Sequence, residues 1–194
     1  MPHGVSVFME FIIGLAILIA VVVLASLYNR LIRGRNRVDT AWSDIDVQLQ
    51  RRHDLIPRLV TAVNAYAKYE RATIEAVTEL RAEAMSVTDI EERSQAEEQL
   101  GSGVRRLLAV AESYPDLKAN ENFLDLQDEL VETENYLQFA RRYYNGSVRD
   151  YNTMTETIPS NFVAGWFSFA RRCFFQKTAD DAGNVPLVDL GSIE

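Results

Sequence analysis

The chain has one Cys and two His among its 194 residues. One thiol closes no intrachain disulfide, and alone it holds no structural zinc ion. A nucleophile–His–acid triad has only His3 and His53 to draw on, and a di-iron bundle needs two Glu-x-x-His pairs where this chain has none. Nine Gly and five Pro are too few for a loop-rich or all-β chain. Positive charge is in the minority, with 20 Lys and Arg against 28 Asp and Glu. The net charge of -8 argues against a nucleic-acid binder held by phosphate contacts. Phosphate-cradling loops are missing too, because Gly101-Ser102-Gly103 lacks the rest of a P-loop or Rossmann motif. Asn145-Gly146-Ser147 matches a glycosylation sequon, a three-residue pattern common by chance. No catalytic residue, cofactor site, metal site or small-molecule substrate is therefore expected.

What the chain does have is a 20-residue apolar run from Phe8 to Leu27, interrupted by the single charge of Glu10. Twenty residues at about 1.5 Å each match a hydrocarbon core of about 30 Å. A cleaved signal peptide is the rival reading, with Val23-Leu24-Ala25 as a weak cleavage site, but no Lys or Arg precedes the run. The anchoring face would include Phe8, Phe11, Ile12, Leu15, Leu18, Val22 and Leu27. Arg30, Arg33, Arg35 and Arg37 come directly after it, so the positive-inside rule places the N-terminus outside and the bulk of the chain in the cytoplasm. Tyr28 sits where an interfacial aromatic is expected. Residues 28–58 hold seven Arg against four acids, whereas residues 59–140 hold seven basic residues against 17 acidic ones. The basic zone abuts the membrane, and the acidic zone reads as solvated helix face. His53 reads as solvated or paired along its helix, and Cys173 as a small buried apolar residue.

Beyond the anchor the apolar residues step by three and four, the period of a helix. Val38, Trp42, Ile45, Leu49, Ile56, Leu59, Val63, Tyr66, Val77, Leu80 and Ala84 form one seam, which Arg52, Glu70 and Thr73 interrupt. A first helix is expected from about residue 30 to 85, kinked or loosened at Pro57. Thr88 or Asp89 caps a second helix, with Glu91 and Glu92 in its first turn, and Pro115 limits it. Gly101 and Gly103 mark either a weak turn or a close helix approach. A third helix runs from Phe123 to Ile158, straight through Asn145-Gly146, because its period does not shift phase there. Pro159 ends it, and Ser160 or Asn161 caps the next short segment. Asn161 to Gln176, with five Phe and a Trp, is apolar on nearly all sides and needs burial in the bundle, a partner or a membrane interface. One helix out, one back and one out again puts this segment at the end far from the anchor. Val185 to Val188 could dock as an extended peptide on a neighbour.

The fold expected is all-α: a transmembrane helix followed by an antiparallel up-and-down bundle of three long helices and a short C-terminal one. Its parts are a stub at 1–7, the anchor at 8–27, the bundle at 28–176 and a tail at 177–194.

Several of these stretches also resemble a known family. Tyr28-Asn29, Arg35-Asn36-Arg37-Val38, Ala41 to Glu70, Glu121 to Asn135, Ala140 to Asn145, Val148 to Asn152 and Pro159-Ser160-Asn161 with the aromatics after it look like the LemA family of bacterial membrane proteins. The resemblance implies a single membrane helix, a helical bundle, a location in the bacterial inner membrane and no known enzymatic activity. Some relatives are magnetosome proteins tied to forming internal membranes. Tyr136 to Phe139 and Ile158 depart from the usual family pattern and reshape the apolar face.

Asp46, Gln48, Asn64, Asn122, Glu134, Asn135, Arg141, Asn145 and Asn152 match the family pattern and are hard to explain as plain core. They fix helix register by hydrogen bonds, or they contact a subunit or partner. Phe162, Trp166 and Phe169 are further contact candidates. Two functions remain in view. One is a self-associating, non-enzymatic scaffold that organises the membrane, with the lipid bilayer and other copies of itself as partners. The other is an adaptor that presents a membrane protein, a protease or signalling protein, through the aromatic segment and Arg171-Arg172. An unrecognised hydrolase is the remaining alternative.

Overall fold

A computed structural model describes residues 3–67 and 69–175, with the backbone alone for residues 3–8. The tail at 177–194, Gln176, the Val185–Val188 stretch and the Phe8 side chain lie outside the described residues. Among the described residues there are six helices and no strand. They are α1 (His3–Tyr66), α2 (Arg71–Ser86), α3 (Ile90–Ala111), α4 (Pro115–Lys118), α5 (Glu121–Glu156) and α6 (Ser160–Trp166). The all-α fold expected from the periodicity is the fold observed. Residues divide into two compact units: Met1–Gln50 with Thr133–Cys173, and Arg51–Glu132 with Phe174–Glu194. Both α1 and α5 pass through each unit.

In the second unit the core is Leu55, Ile56, Leu59 and Val63 from α1, Val77 and Ala84 from α2, Leu100, Val104 and Leu107 from α3, and Phe123 and Leu126 from α5. Asp89 caps α3 as expected, its carboxylate accepting from the Glu91 and Glu92 amides at 2.9 and 3.2 Å. Arg51 reaches Glu132 at 2.7 Å, Arg58 reaches Glu129 at 3.1 Å, and Asn120 donates to the Tyr66 hydroxyl at 3.3 Å. Residue numbers rise on α1 as they fall on α5, so the two helices are antiparallel here.

The first helix does not run to residue 85. α1 continues through Pro57 and stops at Tyr66, and the chain reverses before α2 starts at Arg71. No Gly or Pro marks this break, and Glu70 supplies no side-chain cap to α2. Packing drives the reversal: Ala67 is fully buried at the bend, and α2 folds back so that the Arg81 guanidinium donates to the His53 carbonyl at 2.8 Å. Glu70 and Thr73 interrupt the seam because the seam ends there. This extra reversal also changes the direction of every later element, so α5 runs back toward the anchor rather than away from it.

Gly101 and Gly103 report close approach, not weakness. A methyl on Gly103 would come within 2.9 Å of the Leu80 terminal methyl and 3.4 Å of Val77 on α2. One on Gly101 would meet the Arg52 guanidinium at 2.8 Å. Gly103→Leu should therefore destabilise the protein by about 1–3 kcal/mol through overpacking. Gly103→Ala should be nearly neutral, since about 1 kcal/mol of helix propensity offsets a small shift of the flexible Leu80 end. Chemical denaturation of the two variants separates these outcomes.

In the first unit α1 and α5 are again antiparallel. Trp42 packs edge-on against Tyr144 with ring centroids 5.5 Å apart, and Gly34 lies under Tyr151 and Met154. Leu31 is fully buried against Val163 and Ala164 of α6. The segment after Pro159 thus lies beside the base of the anchoring stretch, not at the far end. α6 is short, seven residues, with no side-chain cap from Ser160 or Asn161. Residues 169–173 form a non-helical strap along α5.

Candidate functional site

From Met9 to Ser26 every side chain of α1 is exposed, Phe11, Ile12, Leu15, Leu18 and Val22 among them. Such a face is unstable in water, and this stretch is long and apolar enough to cross a membrane. Leu27 and Tyr28 are where burial begins. Tyr28 meets Phe167 and Phe169 edge-on, at 4.8 and 5.7 Å between centroids. Arg35 lies over the Phe169 ring at 5.6 Å. Val163 and Ala164 turn inward, while Phe162 and Trp166, four residues apart, turn outward and are 70% and 80% exposed. Trp166 and Phe167 line an apolar groove of about 410 Å³ with Val21, Leu24 and Ala25. The bundle therefore leaves several of these aromatics uncovered and sets them against the anchor.

Around the base of the anchor the strap is held by three α5 side chains. The Tyr144 hydroxyl donates to the Cys173 carbonyl at 2.9 Å, and the Tyr151 hydroxyl to the Ala170 carbonyl at 3.1 Å. Asn152 donates to the Arg172 carbonyl and accepts from the Arg172 amide, both at 2.9 Å. That pair of hydrogen bonds ties Asn152 to the strap backbone. Burial pushes the Tyr144 phenol up from 10.0 to about 12, partly opposed by Arg172. Burial raises Tyr151 as well, with Arg172 and Arg35 pulling the other way. Arg172 pairs with Asp39 at 2.9 Å and Arg171 with Glu156 at 2.9 Å. Cys173 is exposed, contrary to the buried position expected: its carbonyl faces α5 and its thiol does not.

On the opposite side of α1 is an arginine-lined cleft of about 670 Å³. Arg30, Arg33 and Arg37 line it from α1, and Arg149 from α5. Arg35 points elsewhere, to Phe169. Nothing in the sequence links Arg149 to the juxtamembrane cluster; only the antiparallel register of α1 and α5 brings it there.

The other polar candidates differ in exposure. Asp46, Asn64, Asn122 and Asn135 are exposed, and Glu134, Arg141 and Asn145 are half-buried. Gln48 borders a shallow groove of about 340 Å³ with Val47, Tyr136, Phe139 and Tyr143. Its Oε1 is enclosed without a hydrogen-bond partner. Val47, Tyr136, Phe139 and Tyr143 are 62, 49, 61 and 54% exposed and sit together.

One buried cluster is not visible in the sequence pattern. Glu97, in the zone read as solvated, is fully buried. His53 Nε2 lies 2.7 Å from its Oε1 and Arg52 Nη1 lies 3.6 Å from its Oε2. Arg52 also donates to the Glu97 carbonyl at 3.1 Å. His53 is thus neither solvated nor paired along its own helix; its partner comes from α3. The interruption of the apolar seam by Arg52 was the available signal. Among the described residues no three His, Cys, Asp or Glu side chains group as a metal site.

A family model described as the LemA family matches residues 41–190. The chain belongs to the LemA family. It is 27% identical over 168 residues to Protein LemA of Metamycoplasma hominis, covering 86% of this chain and 74% of that one. It is 24% identical over 187 residues to Magnetosome protein MamQ 2 of Paramagnetospirillum magneticum, covering 83% of this chain and 68% of the relative. Magnetosome protein MamQ of Magnetospirillum gryphiswaldense is 22% identical, again over 187 residues and with the same coverage. With its apolar N-terminal helix, this LemA-family chain is a membrane-associated helical protein.

Proposed function

We propose that this LemA-family protein is a single-pass, non-enzymatic scaffold that associates with further copies of itself and organises the membrane that anchors it. The observation behind this reading is the exposed patch of Val47, Tyr136, Phe139 and Tyr143. Tyr136, Phe139 and Tyr143 are spaced by three and four residues and so share one face of α5. Clustered apolar groups of this kind mark interaction surfaces. The patch belongs to the unit that contains the anchor, so neighbours in one membrane meet it sideways. Magnetosome proteins among the relatives fit a role in membrane organisation. The positive-inside rule supports a cytoplasmic bundle under the inner membrane.

The adaptor reading keeps the exposed Phe162 and Trp166 as its handle, while the rest of that handle is engaged within the chain. Arg171 and Arg172 are paired with Glu156 and Asp39, and Phe169 packs on Tyr28 and Arg35.

The full-length protein in mild detergent, measured by light scattering and imaged by electron microscopy, should form assemblies well above monomer mass. Phe139→Glu with Tyr143→Glu should reduce them to monomers while helix content stays unchanged. A wild-type protein that stays strictly monomeric at high concentration sinks the proposal.

A further inference from the structure

The cleft beside α1 has a composition that a plain solvated surface does not need. Arg30, Arg33 and Arg37 lie on one face of α1, and none has an ion-pair partner among the described residues. Arg149 comes from the facing helix, and its nearest carboxylate, Asp150, is 4.0 Å away. Asp150 is the one acid in the lining, so the cleft carries a net charge of +3. Its apolar lining comes from Leu27 and Met154, half-buried, and Ile158, exposed. Like charges of this density repel unless an anion fills the space between them.

Position selects the anion. Leu27 closes the apolar run, and Arg30, Arg33 and Arg37 lie about 4.5, 9 and 15 Å beyond it along the helix. The headgroup layer on each side of the hydrocarbon core is about 5–8 Å thick. Arg side chains reach back toward that layer along their apolar stems. Leu27, a lining residue at the end of the apolar run, continues the hydrocarbon boundary, where an acyl chain or glycerol backbone would rest. Guanidinium groups from both helices of the cleft offer a lipid phosphate bidentate pairing.

We infer that this cleft is a binding site for the phosphate group of an anionic phospholipid, drawn from the leaflet on the bundle side. This rests on the reading of residues 8–27 as a membrane anchor, and on nothing in the self-association proposal.

The full-length protein is reconstituted in phosphatidylcholine vesicles containing phosphatidylglycerol, cardiolipin or neither. Flotation after alkaline carbonate reports insertion in the neutral vesicles and thereby tests the anchor alone. Lipid that stays bound after detergent extraction is then counted by native mass spectrometry. Phosphatidylglycerol and cardiolipin should each be retained over phosphatidylcholine. Arg33→Gln with Arg149→Gln should lower retention of the anionic lipids roughly thirtyfold, at about a fivefold loss per arginine. Arg33→Lys with Arg149→Lys keeps the charge but loses the planar fork, and should still lower retention several-fold. Arg106→Gln, in the other unit, should change nothing. Normal insertion with equal retention of all lipids overturns the site while leaving the anchor standing. Full retention by the lysine pair reduces the effect to general charge attraction and overturns the built site. Displacement by millimolar inorganic phosphate makes it a site for soluble anions and also overturns the lipid assignment.

Discussion

Glu97→Ala should lower the stability of the second unit by about 3–5 kcal/mol, the usual result of removing one partner from a buried charge cluster. Arg52 and His53 are 4% and 1% exposed, so neither can turn to water when the carboxylate is lost. The loss comes from the stranded groups more than from the contact itself. Replacing all three with apolar residues, Arg52→Met, His53→Leu and Glu97→Leu, should recover most of it, because a well-packed apolar trio has no desolvated charge. Denaturant unfolding monitored by circular dichroism, with amide exchange read at Leu55 and Ile56, measures both. A single variant within about 1 kcal/mol of wild type, or a triple variant no better than the single, contradicts a buried charge cluster.

Asn152→Ala should release the strap at residues 169–173 and cost about 2–3 kcal/mol, since two hydrogen bonds to one backbone residue disappear together. The Arg172 amide should exchange with solvent much faster, while amides in the second unit keep their protection. Asn152→Asp retains the acceptor for the Arg172 amide but sets a carboxylate against the Arg172 carbonyl, and should fall between the two. The strap carries Phe169, which packs on Tyr28 at the base of the anchor, so its release loosens the join between membrane helix and bundle. Alkaline pH should act on the same structure. Below pH 10 the Tyr144 phenol is neutral in both folded and unfolded chains. Between 10.0 and about 12 the unfolded chain ionises first, so stability falls steadily across that window. Absorbance of the phenolate and exchange at Arg172, recorded together, should change in step. Unchanged exchange in the Asn152→Ala variant would show that the strap is held elsewhere.

The local devices were readable residue by residue. Asp89 with Glu91 and Glu92 announces a helix start, because a short carboxylate followed by acids meets unsatisfied amides at that end. Tyr144, Ser147 and Tyr151 keep one phase through Gly146, and α5 runs through it. The candidate site was half legible. The juxtamembrane arginines and the aromatic stretch after Pro159 both stood out. That they lie at the same end of the bundle did not, because their placement depends on how many times the chain turns between them.

The break at residues 67–70 is the clearest case. Ala67 and Tyr69 carry no breaking signal, and a helix through them satisfies every local preference. What ends α1 there is the burial gained when α2 turns its Val77 and Ala84 face onto the core. Burial of Glu97 has the same origin: a carboxylate on a helix surface is solvated by default, and only the approach of Arg52 and His53 makes the interior position tolerable. The apolar anchoring run, the helical class, the proline stops and the Asp89 cap were written in the chain itself, since all of them arise from interactions within a few residues. The number of reversals, the charge buried in the core and the meeting of Arg149 with Arg30, Arg33 and Arg37 came from packing, because each depends on which helix faces find one another.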